Sequence, residues 1–286
     1  MTTQTVQTSQ ADIAVVETAG RGLPVVFIHG NSSCKEVFAH QMDGPLGDVY
    51  RMIAFDLPGH GESTDAFDPR ATYSMPGYAD TTMEVLDQLG VQRAVIVGWS
   101  LGGHIGLELV PRFHGLVGLM IAGVPPVHAT PESFMGGFRP HPMLPLIGKP
   151  ELSDDEAEIF AAGAYGKAAS PALRNALRRT DGRARGMLFE TVFDGRTSDQ
   201  QASAEKAGVP IAIVNGADDP IVNVEYIGSL TYATLWEKHC FALRGEGHSP
   251  FLTSPQIFNP ILERFLRDMA ALAAKKPVGR SKVAAA

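Results

Sequence analysis

The stretch VIVGWSLGGHIG (95–106) sets Ser100 between Gly98 and Gly102 at the end of an apolar run. An ordinary turn does not need small residues on both sides of a serine. A tight strand-to-helix turn that thrusts the hydroxyl outward does, and G-x-S-x-G in that context marks a nucleophile. The following helix would point its N-terminus at the same spot and favour negative charge there. The plainer reading is a glycine-rich turn whose serine caps the helix. A serine hydroxyl attacks poorly unless a base takes its proton. Of nine histidines, His248 in Gly245-Glu-Gly-His248-Ser-Pro follows the last strand signal and precedes the C-terminal helix. His104, one helical turn past Ser100, reads as packing, and His40, His114, His128, His141 and His239 read as surface or packing residues.

A histidine base needs a carboxylate to fix its tautomer. Asn215-Gly-Ala-Asp218-Asp219-Pro220 supplies two, in the chain order Ser, Asp, His. Asp219 is chosen because it ends a Gly-x-x-Asp pattern, and Asp218 competes with it. Acyl transfer also needs donors for an oxyanion. The N–H of Leu101, next after the serine, is one candidate. The N–H of Asn31 in His29-Gly30-Asn31-Ser32 is the other, and its side chain is also placed to reach a substrate.

These residues all sit at the ends of apolar, β-branched runs. The runs are 13–18, 23–29, 51–56, 94–98, 115–123, 209–216 and 239–245. The first two, separated by AGRG, read as a hairpin. The later ones lack strict alternation, as strands buried on both faces of a parallel sheet do. Helix-like segments at 78–90, 102–112, 223–230 and 255–272 alternate with them, which implies helices on both faces. About 85 residues between Gly123 and Val209 carry no strand signal. Ser153-Asp-Asp-Glu156 is a capping-box pattern. Ser170-Pro171 and Asp181 would start two more helices, the last through 182–193. The segment thus reads as a helical cap over one edge of the sheet.

The 286 residues suffice for one large domain or two small ones. Hydrophobic residues make up 44% and charged residues 19%, enough for a large core. The net charge of −7 argues against a nucleic-acid partner. No stretch of about 18 apolar residues is present, so no membrane span is expected. Two cysteines make no disulfide framework, and no leader is visible, so a cytoplasmic location is the expectation. Cys34 reads as a small buried apolar residue. Arg178, Arg179, Arg183 and Arg185 read as a solvated helix end, or else as a cap–core ion-pair network. The oligomeric state is not encoded in any visible pattern.

HGN at 29–31, Asp56-Leu-Pro-Gly-His-Gly-Glu-Ser63, GWSLGG at 98–103, NGADD at 215–219 and GEGH at 245–248, in this order, resemble the α/β-hydrolase superfamily. The resemblance implies an α/β-hydrolase fold, mostly parallel, with helices on both faces and a helical cap insert. The core would be 1–127 and 209–272, the cap 128–208, and 273–286 a disordered tail. Longer stretches, HGNSSCKEVFAHQM (29–42), YSMPGYAD (73–80), GWSLGGHIGLEL (98–109) and RTDGRARGMLFE (179–190), resemble the α/β-hydrolase type of N-acyl-homoserine lactonase. That type opens the lactone ring of bacterial quorum-sensing signals. It implies a serine mechanism without cofactor or metal, and an acyl-lactone held by Asn31, Trp99 and cap residues around Phe160. Its acid is a glutamate, whereas the matching position here is Asp219. A general carboxylesterase is the nearest alternative, since a triad does not distinguish a cyclic from an open ester. A non-catalytic receptor on a hydrolase fold is a more distant one. An epoxide hydrolase would need Asp at the elbow, and no H-x-H-x-D-H cluster suggests a metal-dependent lactonase.

Overall fold

The computed structural model describes residues 1–192 and 196–275. Eight strands form one sheet: β1 (Thr2–Gln7), β2 (Asp12–Glu17), β3 (Val25–Ile28), β4 (Met52–Phe55), β5 (Ala94–Trp99), β6 (Leu116–Ala122), β7 (Ile211–Gly216) and β8 (Phe241–Leu243). Their order across the sheet is β1-β2-β4-β3-β5-β6-β7-β8. From β4 to β8 every pairing is parallel, while β2 runs antiparallel to both β1 and β4. Strands β3 to β7 are buried along their whole length, which is why their sequences show continuous apolar runs.

Two expectations are corrected here. β2 and β3 do not form a hairpin, because β4 inserts between them. The AGRG segment instead bonds the short helix Pro45–Val49, through Gly20 N–H to Gly47 O at 3.1 Å and Gly22 N–H to Val49 O at 2.9 Å. An additional strand, β1, was not foreseen. Its residues TTQTVQ are mostly exposed at the sheet edge, so they carry no apolar periodicity.

The chain leaves β3 for β4 on one side and returns to β5 on the other. Crevices at the carboxyl ends of strands flanking such a reversal are where open α/β sheets bind ligands. Between β6 and β7 the described residues form helices Pro131–Gly137, Asp154–Tyr165, Pro171–Arg179, Gly182–Glu190 and Gln200–Glu205, with short 3₁₀ turns. The capping box forms: Ser153 Oγ accepts from Glu156 N–H at 3.3 Å, and Glu156 Oε2 accepts from Ser153 N–H at 2.9 Å. Ser170 Oγ accepts from Leu173 N–H, with Pro171 at the first helical position. Asp181 Oδ1 accepts from Arg183 N–H at 3.0 Å. The segment is latched to the core at one corner. Arg179 reaches Asp65 at 3.1 Å and Ser63 O at 2.9 Å, and Tyr73 donates its hydroxyl to Asp181 at 2.6 Å. Helix Pro255–Lys275 closes the described chain and continues through 273–275, part of the stretch expected to fray. Residues 276–286 lie outside the described residues, as does 193 at the end of the third expected cap helix.

Candidate active site

Ser100 joins β5 to helix Leu101–Leu109 with φ 51° and ψ −119°. A non-glycine residue costs on the order of 1–3 kcal/mol in such a region. Backbone bonds hold it there: its N–H donates to Ala122 O at 2.9 Å, and its carbonyl accepts from Gly103 N–H at 2.9 Å and His104 N–H at 3.1 Å. The flanking glycines are sterically required. A Cβ on Gly98 would lie 2.4 Å from Gly102 O, and one on Gly102 would lie 1.9 Å from Ile28 O. The Ser100 side chain makes no cap hydrogen bond, so the hydroxyl is not engaged as a helix cap.

His248 and Asp219 meet on the loops that follow β8 and β7. His248 Nδ1 lies 2.7 Å from Asp219 Oδ2, and both side chains are almost completely buried. The other carboxylate oxygen accepts from Ile221 N–H at 3.0 Å and Val222 N–H at 2.9 Å. Asp218 is exposed, so of the two competing carboxylates only Asp219 reaches the imidazole. Gly216 lets the two loops touch, since a Cβ there would lie 2.1 Å from Gly247 O. Trp99 links base and elbow: its indole N–H donates to His248 O at 2.9 Å. His248 Nε2 is buried and makes no hydrogen bond among the described residues.

The loop after β3 lies against the elbow. A Cβ on Gly30 would be 2.9 Å from the Trp99 ring and 3.2 Å from Ser100 Cβ. His29 fixes the loop from behind. Its Nδ1 donates to Gly30 O at 2.7 Å and its Nε2 accepts from Leu57 N–H at 3.0 Å. Burial lowers its pKa and keeps it neutral, as that pairing requires. Leu101, at the first helical position, has no intrahelical acceptor for its N–H. The Asn31 amide side chain donates to Ile147 O at 2.7 Å, so the loop is tied to the β6–β7 insertion. Two more insertion residues grip Ser32, which has φ 56°. Tyr165 donates to Ser32 O at 3.0 Å and Arg185 to Ser32 Oγ at 3.2 Å. Arg185 also donates to Lys149 O and Pro150 O, and it is buried. The four arginines therefore divide. Arg178, Arg179 and Arg183 stay partly solvated while pairing with carboxylates, and Arg185 is a buried clamp.

Ser100 opens on a cavity lined mainly by apolar side chains, including Met75, Val127, Phe134, Phe138, Leu188 and Ile221. Asn31, Leu101, His104 and Gln200 also line it. Trp99 and Phe160 do not. Each is 1% exposed, and Trp99 packs on Tyr165, His248 and Phe251. The sequence reading missed three residues around this site. His104, which reads as packing in the sequence, reaches the cavity wall one helical turn after Ser100. Gln200 comes from the far end of the insertion and carries no motif. Arg185 was hidden in a basic run.

A strained serine at a strand–helix elbow, beside a buried His–Asp pair, on a mostly parallel sheet defines a hydrolase architecture. The alpha/beta hydrolase family model matches residues 25–261, and the chain belongs to that family. A crystal structure of the N-acyl homoserine lactonase AidH complexed with N-butanoyl homoserine superposes with a TM-score of 0.92 at 42% identity, covering 94% of this chain and 97% of that one. An AidH mutant complexed with N-hexanoyl homoserine lactone gives 0.93 at the same identity, covering 96% and 100%. The bifunctional esterase/perhydrolase DCH of Acinetobacter calcoaceticus is 28% identical over 276 residues, covering 90% of this chain and 96% of that protein.

Proposed function

We propose that the protein is a serine hydrolase that opens the lactone ring of N-acyl-homoserine lactones. The observation that carries this reading is the likeness to AidH, at 42% identity over nearly the whole of both chains. The buried His248–Asp219 contact and the apolar cavity at Ser100 support it chemically. Ser100 is the nucleophile and His248 the base that takes its proton through Nε2. Asp219 holds Nδ1–H and stabilises the imidazolium that forms. The N–H groups of Leu101 and Asn31 receive the tetrahedral oxyanion, each worth on the order of 2.7–4 kcal/mol in the transition state. His248 then protonates the ring oxygen, which leaves but stays tethered through the homoserine skeleton. Water deprotonated by His248 attacks the acyl-enzyme and releases the acyl-homoserine. Trp99 orients His248 from behind, and the apolar wall of the 128–208 cap receives the acyl chain. Phe160 is buried away from the cavity, and lining residues take the contacts first expected of it.

Cleavage of open esters is the second reading, favoured by the likeness to the DCH esterase/perhydrolase. Mass spectrometry of a homoserine-lactone series against matched open esters, for wild type and Ser100→Ala, separates the two. Ring-opened acyl-homoserine from wild type alone, formed faster than ester products, supports the lactonase. Ester turnover with intact lactones would replace it by the esterase.

A further inference from the structure

His104 and Gln200 line the cavity, yet the acyl-transfer steps above use neither. Their hydrogen bonds fix the imidazole in one tautomer. Gln200 Nε2 faces only acceptors: Met75 Sδ at 3.1 Å, Glu108 Oε1 at 3.4 Å and His104 O at 3.5 Å. Turning the amide over would set its oxygen against a carboxylate and a carbonyl, so its oxygen points to His104. That oxygen lies 2.6 Å from His104 Nδ1, which must therefore carry the proton. Nε2 is left as a bare acceptor. It makes no hydrogen bond among the described residues, and its ring is part of the cavity wall. Burial lowers the His104 pKa to about 4, so the ring is neutral and able to accept near neutral pH.

An acceptor in an apolar cavity selects a donor, because an unpaired N–H brought there loses its water without compensation. Asn31 Oδ1 already accepts from Ser32 Oγ, and Gln200 Oε1 from His104. In an N-acyl α-amino ester or lactone, the amide nitrogen is two bonds from the carbonyl carbon that a serine attacks. It must therefore sit close to Ser100. His104 lines the same cavity as Ser100 and donates its backbone N–H to Ser100 O at 3.1 Å, one turn along the helix, which brings its ring within reach of that nitrogen. We propose that His104 Nε2 accepts the substrate's α-amide N–H, with Gln200 as a positioning residue that locks the tautomer, so that the site selects N-acylated α-amino esters and lactones. This deepens the lactonase reading and rests on Ser100 as nucleophile.

The test uses two substrate pairs that differ only by N–H against O. One pair is N-hexanoyl-homoserine lactone and α-hexanoyloxy-γ-butyrolactone. The other is the p-nitrophenyl esters of N-hexanoylglycine and hexanoyloxyacetic acid. Wild type should prefer the amide member by kcat/KM in each pair that it hydrolyses. His104→Leu should reduce that preference about tenfold, the scale of one lost hydrogen bond near the reacting centre. Gln200→Leu should reduce it in part, by freeing the other tautomer. If His104→Leu does not fold, His104→Phe and Gln200→Leu carry the same comparison. An unchanged amide-to-oxa ratio, or an equal fall for both members, overturns the assignment and leaves a packing role. Intact lactones together with a His104-dependent preference in the ester pair would overturn the lactonase reading alone.

Discussion

Replacing Asp219 by asparagine tests the proposed triad with little change of shape. Oδ1 of Asp219 accepts two backbone N–H bonds, from Ile221 and Val222, while Oδ2 meets His248 Nδ1. An asparagine satisfies both backbone donors only if its oxygen takes the Oδ1 place. Its NH₂ then faces Nδ1 and donates to it. Nδ1 becomes an acceptor, the ring proton moves to Nε2, and Nε2 no longer takes a proton from Ser100. Turning the amide over restores the working tautomer but opposes NH₂ to two buried backbone donors. At about 1–3 kcal/mol for each unsatisfied group, that costs roughly 2–6 kcal/mol. With 1.36 kcal/mol per tenfold in rate, kcat should fall by about thirtyfold to about 25,000-fold. The assay is kcat on a lactone or ester turned over by wild type, alongside the urea midpoint, which should stay close to wild type. A folded Asp219→Asn protein that keeps more than about a third of wild-type kcat would refute the tautomer argument.

Steric demand at the elbow predicts that Gly102→Ala lowers stability by about 3 kcal/mol or more, since its Cβ would meet Ile28 O at 1.9 Å. Gly208→Ala, with nothing within 4 Å, should stay within about 0.5 kcal/mol by urea denaturation, and equal effects would refute the contact argument. Arg185→Met strips donors from Ser32 Oγ, Lys149 O and Pro150 O. It should cost about 1–3 kcal/mol and lower kcat several-fold on every substrate, and unchanged stability would count against a clamp. Burial depresses the pKa of His29, of His60 to about 3 and of His104 to about 4. Unfolding therefore takes up protons below pH 6.5. Stability should be full above that pH and fall as pH drops towards 4, by up to about 1.4 kcal/mol per pH unit for each histidine. Urea midpoints that do not move between pH 7 and 5.5 would contradict this.

The strand–turn–helix at Ser100 was legible because its causes are local. An apolar run, two small residues and a helix start lie within about a dozen positions, and the backbone strain at Ser100 follows from them. The caps of the insertion helices were legible for the same reason, since Ser153, Ser170 and Asp181 each bond an N–H two or three residues away. Motif order likewise put Asn31, Ser100, Asp219 and His248 on loops at the carboxyl ends of strands.

Features that depend on distant partners were not legible. β1 exists because a polar segment finds the free edge of β2, and the AGRG turn opens because β4 pairs with β2. Nothing in NGADD separates Asp218 from Asp219; that choice is made where the loop meets His248 and one carboxylate turns inward. Arg185 looks like its neighbours in a basic run until the insertion folds down and surrounds it with carbonyls. His104 becomes a directional acceptor only when Gln200, 96 residues on, arrives to fix its proton. Residue types and short spacings determined the elements and the reactive groups available. Burial and long-range pairing, set by the eight-stranded sheet and the insertion above it, decided which of those groups face one another.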